Sequence, residues 1–290
     1  MIHLQNEELT AIVKSKGAEL SSLKSNATGI EYLWQADPNY WARHAPILFP
    51  IVGQVKDGKY DYRGAVYELP QHGFARDQEF EVTEQSQDRV RLRLKSSDET
   101  LAKYPVAFEL LLTYELVASQ VNCTYEVFNT GEEDMHFSLG LHPGFTCPMV
   151  EGTSFEDYEL VFSEKETLDR HLLDGPLLSG VIEPHYLQDE ASIALHHELF
   201  KDDALVFEGF KSQNIRLQST KTEHFVEMGV SGFPFLGLWS KPNSDALFVC
   251  IEPWYGVADE INRKPFIEKK GIQVLEGNSQ WKAQTYIKVG

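Results

Sequence analysis

Arg89-Val90-Arg91-Leu92-Arg93-Leu94-Lys95 alternates a charged side chain with an apolar one along its whole length. A period of two marks a β-strand with one wet and one buried face, because successive side chains of an extended chain point to opposite sides. On a helix the same order would scatter the cations around the circumference and leave no apolar stripe.

Runs of β-branched and aromatic residues repeat outward from this stretch, at 110–117, 121–128, 158–162, 215–218, 225–230, 247–251, 272–275 and 285–289. Turn residues separate them, including Lys56-Asp57-Gly58-Lys59, Asn129-Thr130-Gly131 and Glu276-Gly277-Asn278-Ser279. Helix signals are sparse. Ser97-Asp98-Glu99-Thr100-Leu101-Ala102-Lys103 has a capping serine and first-turn acids but must stop before Pro105, and a short turn is predicted over His196–Lys201. The reading is an all-β chain with few short helices, and a β-sandwich of two large sheets is the natural way to bury so many strands. No repeat, low-complexity segment or Ser/Gly linker interrupts the sequence, so residues 1–290 are expected to form a single domain.

Hydrophobic residues make up 42% of the 290 positions, which excludes a disordered chain. The mean hydropathy of −0.32 excludes a long apolar span. Lys plus Arg number 26 against 44 Asp plus Glu, a formal net charge of −18, so the cation clusters that hold nucleic acid or an anionic membrane are missing. Cys123, Cys147 and Cys250 are odd in number and lack CxxC spacing, which argues against a disulfide framework or a zinc knuckle. They read as small buried hydrophobes. The first residues, Met1-Ile2-His3-Leu4-Gln5-Asn6-Glu7-Glu8, have neither a basic nor an apolar leader pattern, and a cytoplasmic location is expected.

Four segments hold more functional side chains than a scaffold needs. Trp41-Ala42-Arg43-His44-Ala45-Pro46-Ile47-Leu48-Phe49-Pro50-Ile51-Val52-Gly53 is apolar with an Arg and a His at its mouth; it reads either as a site wall or as a buried edge with Arg43 snorkelling to water. Leu69-Pro70-Gln71-His72-Gly73-Phe74-Ala75-Arg76-Asp77 gathers Gln71, His72 and Arg76 around a glycine, either to present donors to one polar ligand or as a surface turn before a strand starting at Glu79. Phe137-Ser138-Leu139-Gly140-Leu141-His142-Pro143-Gly144-Phe145 sets a histidine at a strand end, where it is functional or merely structural. In the fourth, the apolar run of Asp245–Asp259 ends in Glu252, fixed by Pro253. A carboxylate at the end of a doubly buried strand would have the raised pKa that a general base near neutrality needs, whereas one in solvent would not.

Other chemistries leave no trace. There is no GxSxG elbow, phosphate-cradling GxxxxGKS loop or GxGxxG after a strand. His196-His197, His171, His185 and His224 lack metal-ligand spacing, so no metal is expected, and a metal enzyme built on His72, His142 and Glu252 is the weakest reading.

In order along the chain, Arg43-His44-Ala45-Pro46-Ile47-Leu48-Phe49-Pro50, Gln71-His72-Gly73-Phe74-Ala75-Arg76, Leu139-Gly140-Leu141-His142-Pro143 and Cys250-Ile251-Glu252-Pro253 resemble the aldose 1-epimerase family, the galactose mutarotases, and most closely its LacX-like branch. The likeness runs from Ile2 to the final strand. It implies a large antiparallel β-sandwich, the galactose mutarotase-like supersandwich, whose concave face holds a monosaccharide. It also implies a cofactor-independent isomerase that interconverts the α and β anomers of an aldose. By this resemblance Glu252 is the general base and His142 the general acid. His72, Arg43, Gln71 and Arg76 contact the sugar, as does an aspartate for which Asp203 is preferred over Asp202. Trp239 and Trp34 are candidate stacking platforms, though large aromatics are more often core.

Phe74-Ala75-Arg76 and Pro253-Trp254-Tyr255-Gly256 depart from members acting on free galactose, and the first is closer to relatives acting on hexose 6-phosphates. The expected substrate is an unphosphorylated hexose such as galactose or glucose. A hexose-6-phosphate mutarotase and a non-catalytic sugar-binding protein are the alternatives. Arg43 and Arg76 could clamp a phosphate, while the overall charge repels one. The chain is expected to act as a monomer or weak homodimer, with no nucleic-acid or membrane partner.

Overall fold

The computed structural model describes residues 1–290. Arg89–Lys95 is a strand with those bounds; Val90, Leu92 and Leu94 are buried. On its other face Arg89 and Arg93 reach Glu84 and Glu81 on the adjacent strand, and Arg91 reaches across the other neighbour to Glu126.

This strand lies near one end of a 15-stranded sheet that runs through Phe108–Val117, Gln120–Asn129, Gln280–Val289, Val226–Gly229, Asn214–Ser219, Tyr158–Asp174, Leu205–Glu208, Phe235–Trp239, Phe248–Tyr255 and Leu139–Leu141 to Ile47–Leu48. Its strand pairs are antiparallel. So long a sheet cannot stay flat, and its ends double over one another. Phe49, just past the strand at one end, packs its ring 5.1 Å from that of Phe108 near the other. One core of 67 buried residues, from Ile2 to Val289, fills the space between the layers. The two layers of the sandwich are thus one hydrogen-bonded sheet, not the two separate sheets expected. A three-stranded sheet over Ile2–Gln5, Leu9–Val13 and Leu20–Ser25 adds to the structure.

Two strand boundaries differ from those expected. The run at 158–162 is only the start of a strand reaching Asp174, which pairs with Leu177–Ala194 in a long hairpin. The second arm is exposed over most of its length and its register shifts at bulges, so no hydrophobic alternation marks it. The strand after His72 begins at Glu81 and not at Glu79, because Ala75–Asp77 makes a 3-10 turn first. The helix predicted after Ser97 is Asp98–Leu101, with a reciprocal Ser97/Thr100 capping box, and the second short turn is a 3-10 helix over His197–Phe200. No helix is long and apolar enough to cross a membrane.

Candidate active site

The Phe248–Tyr255 strand has two buried faces. Val249 and Ile251 join the main core, while Phe248, Cys250, Glu252 and Trp254 face the other way, into two smaller apolar clusters and a cavity. Glu252 is therefore inside the strand, not at its end as the sequence suggested; the strand passes through Pro253 to Tyr255. Pro253 is tolerated because the neighbour on one side is interrupted: Leu139–Leu141 pairs with Tyr255 and Trp254, Gly144–Thr146 pairs with Cys250 to Phe248, and the chain between them makes no regular pairs. The register that sets Gly140 beside Trp254 and Gly144 beside Cys250 puts His142 opposite Glu252, in the gap.

His142 Nε2 lies 3.2 Å from Glu252 Oε2. Glu252 is 1% exposed and His142 8%, so both belong to the cavity floor. Burial, reinforced by the charge of Asp203, pushes the Glu252 carboxyl well above its usual range, with Trp254 opposing the shift. Burial, followed by the charge of Arg76, pulls the His142 imidazole down to about 3. Burial thus works against the charged form of both groups, so the pair is held away from separate charges.

The cavity has a volume of about 300 Å³, enough for a monosaccharide. His72 reaches it from a left-handed backbone position, φ 65°. Next to it, a side chain on Gly73 would come within 2.2 Å of the Phe49 carbonyl oxygen, so only glycine permits the approach. The Gly53 N–H donates to His72 Nδ1 at 3.1 Å, which leaves the ring proton of the neutral imidazole on Nε2. Burial, then His142, Arg76 and Arg43, hold His72 well below the usual imidazole range. The His72 and His142 rings meet edge to face at 5.7 Å.

Arg76 and Gln71 line the same wall, and Arg76 Nη2 donates to the Gln71 carbonyl at 2.6 Å. Burial first, and then Arg43, lower the Arg76 pKa to about 10, which leaves it charged at neutrality. Its Nε is buried without a hydrogen bond, 3.9 Å from Asp77 Oδ2. Asp203 lines the opposite side in a left-handed conformation, φ 74°, and its Oδ1 accepts the Ala204 N–H at 2.8 Å. Asp202 is exposed and outside the lining, so the structure separates the two aspartates. Trp239 lines the cavity, whereas Trp34 stands outside it, stacked on Phe248 at 4.7 Å with its indole N–H on the Trp41 carbonyl. Arg43 also stands outside the lining and donates to Asp77 Oδ1 at 3.0 Å.

Sequence reasoning missed two aromatics and a loop. Trp41, two residues from Arg43, stacks on His142 with ring centroids 4.8 Å apart. Its loop is tied down by Glu19, whose carboxylate accepts the His44 N–H at 2.8 Å. Burial alone would raise the Glu19 pKa, but His44 and Lys14 bring it down to about 2. Trp254 sits flat in a slot made by Gly140 and Gly237, where an added Cβ would come within 2.6 and 2.3 Å of the indole, and its N–H is buried without a partner. Leu173, Gly175, Pro176 and Leu178, at the tip of the long hairpin, close one side. Their only sequence signal is the Gly175-Pro176 turn pair.

The sequence profile of the family described as "Aldose 1-epimerase" matches residues 1–288. Protein LacX (plasmid) of Lactococcus lactis subsp. lactis is 36% identical over 279 residues, covering 93% of this chain and 92% of LacX. A galactose mutarotase related enzyme from Lactobacillus acidophilus superposes with a TM-score of 0.94 at 34% identity, over 99% of this chain and 96% of that one. A galactose mutarotase-like protein from Lactobacillus casei superposes equally well, 0.94, at 30% identity over the full length of both chains. With a full-length profile match, close relatives and the expected motifs around one cavity, the chain belongs to the aldose 1-epimerase family.

Proposed function

We propose that this protein interconverts the α and β anomers of an unphosphorylated hexose such as galactose or glucose, with Glu252 as general base and His142 as general acid. The observation that carries the reading is the 3.2 Å contact between two oppositely tuned, buried titratable groups on the floor of a sugar-sized cavity.

Ring opening takes a proton from the anomeric hydroxyl and gives one to the ring oxygen. The transfers run from the carboxylate–imidazolium form of the pair, which burial makes the minor one: Glu252 accepts from the hydroxyl and His142 donates to the ring oxygen. The result is an open-chain aldehyde over a carboxylic acid and a neutral imidazole. After rotation about the C1–C2 bond, closure onto the other aldehyde face reverses both transfers. Acid and base suffice, so the cycle calls for no cofactor. His72 Nε2–H, Arg76, Gln71 and Asp203 would hold the hydroxyls, and Trp239 an apolar face of the ring.

The charge of the wall favours a neutral sugar. Arg43 is paired with Asp77 and Arg76 Nε lies 3.9 Å from the same carboxylate, so a phosphate would meet cations already partly neutralised, together with the carboxyl groups of Asp203 and Glu252. A binding module would gain nothing from an acid kept out of water against its ionisation, which argues against a purely non-catalytic role.

Anomer exchange followed by NMR for glucose, galactose and their 6-phosphates tests the proposal. The wild type is expected to accelerate exchange of a free hexose, and Glu252→Gln to lower the rate by roughly 10²- to 10⁴-fold while still binding sugar. Near-full activity in Glu252→Gln would remove Glu252 as the base, and acceleration of the 6-phosphates alone would reverse the substrate assignment.

A further inference from the structure

We propose that the cavity floor is also a binding site for a soft divalent cation of the zinc type, held by His142, Cys250 and Glu252, and that the cation competes with the sugar.

Cys250 and Glu252 are two residues apart on one strand and so project from the same face, and His142 stands opposite Glu252 across the gap. One ligand atom from each, an imidazole nitrogen, Sγ and a carboxylate oxygen, all lie within 4.8 Å of one another. Small side-chain adjustments bring such a set to tetrahedral metal contacts of roughly 2.0 to 2.3 Å. Nitrogen, sulfur and oxygen donors together suit zinc or cobalt, whereas magnesium and calcium call for oxygen alone. His142 and Glu252 line the cavity and Cys250 lies buried behind them, so the open, fourth position for water or a sugar oxygen is on the cavity side.

The polar atoms of the floor are also short of partners. Glu252 Oε2 and His142 Nδ1 are buried without hydrogen bonds. Oε2 faces His142 Nε2 at 3.2 Å, so a cation seated there would meet both ligand atoms. Binding breaks the Cys250 S–H bond, forms the sulfur–metal bond and releases to water both the thiol proton and any proton held by Glu252 or His142, leaving a thiolate, a carboxylate and a neutral imidazole as ligands. The resulting thiolate and the carboxylate together balance a dication, so the buried site gains no net charge. A chain with a net charge of −18 also concentrates cations around itself.

Cys250 takes no part in the proposed proton transfers and is 0% exposed. The site itself depends only on the geometry of the three ligands; its inhibitory consequence depends on the epimerase reading. Direct binding and activity are therefore measured separately. Cobalt(II) titrated into the wild-type protein should produce a thiolate-to-cobalt charge-transfer band in the near ultraviolet, bleached by zinc. Cys250→Ser, which keeps the shape of the side chain, should lose the band and weaken zinc inhibition of anomer exchange by roughly 10- to 100-fold while exchange without metal persists. Absence of the band in the wild type overturns the site, and this measurement needs no variant. Zinc inhibition of equal strength in Cys250→Ser overturns it as well. If neither protein accelerates exchange but the cobalt band appears in the wild type and is lost in the variant, the site stands and the epimerase reading falls.

Discussion

Arg89–Lys95 and Phe248–Tyr255 are strands of the same sheet that treat charge in opposite ways. The first puts each cation on the wet face, where Arg91 and Arg93 meet carboxylates still hydrated enough to cost little, and leaves binding energy to Val90, Leu92 and Leu94. The second holds one carboxyl, Glu252, between two dry layers, opposite an imidazole and away from water. Charge on the wet face is interchangeable and does little for stability. On the dry face it is costly, its pKa moves, and the displaced pKa is what makes the group useful.

The contrast can be broken in three places. The largest effect should come from the apolar side of the first strand: Leu92→Ala is expected to cost about 2 to 5 kcal/mol of stability in chemical denaturation, yet leave anomer exchange per folded molecule unchanged. A folded Leu92→Ala protein with lost exchange would show that the two ends of the sheet are not separable.

The next effect is a pH profile. The Glu252 pKa is raised and that of His142 is lowered to about 3, so a second proton enters the pair only as pH falls toward about 3, and the remaining one leaves only above the raised carboxyl range. Exchange should therefore stay level between those two limits. An acid limb near the free-imidazole value of about 6.5 would mean that His142 titrates as if in water, and would dissolve the distinction between the strands.

The smallest effect sharpens the comparison from its cheap side. Arg93→Ala removes an exposed ion pair with Glu81 and is expected to leave the unfolding midpoint and the exchange rate unchanged. A clear loss of stability would assign structural weight to the arginine face.

Much of this was legible in the chain itself, for reasons particular to each residue. Strands with one wet face announce themselves through alternation, as Arg89–Lys95 and Gln120–Asn129 do. Gln71, His72 and Arg76 were legible because they are adjacent in sequence and stay adjacent in space. The hairpin arm Leu177–Ala194 was not, because a strand exposed on both sides and broken by bulges has no hydrophobic period to read. Trp41 and Trp254 were hidden for the opposite reason: a tryptophan among apolar neighbours looks like core, and only the cavity shows that one edge is free.

The sequence by itself determined the β architecture, the family and which side chains are candidates for the site, because periodicity, turn residues and motif order are local properties of the chain. Tertiary structure alone decided that His142 faces Glu252 at 3.2 Å, that Asp203 and not Asp202 reaches the cavity, and that Arg43 turns to Asp77. Those outcomes depend on strand register and on which face of a doubly buried strand meets solvent-filled space. Both are set by the packing of residues from tens of positions apart to the 110 that separate His142 from Glu252, and no short window of the sequence contains them.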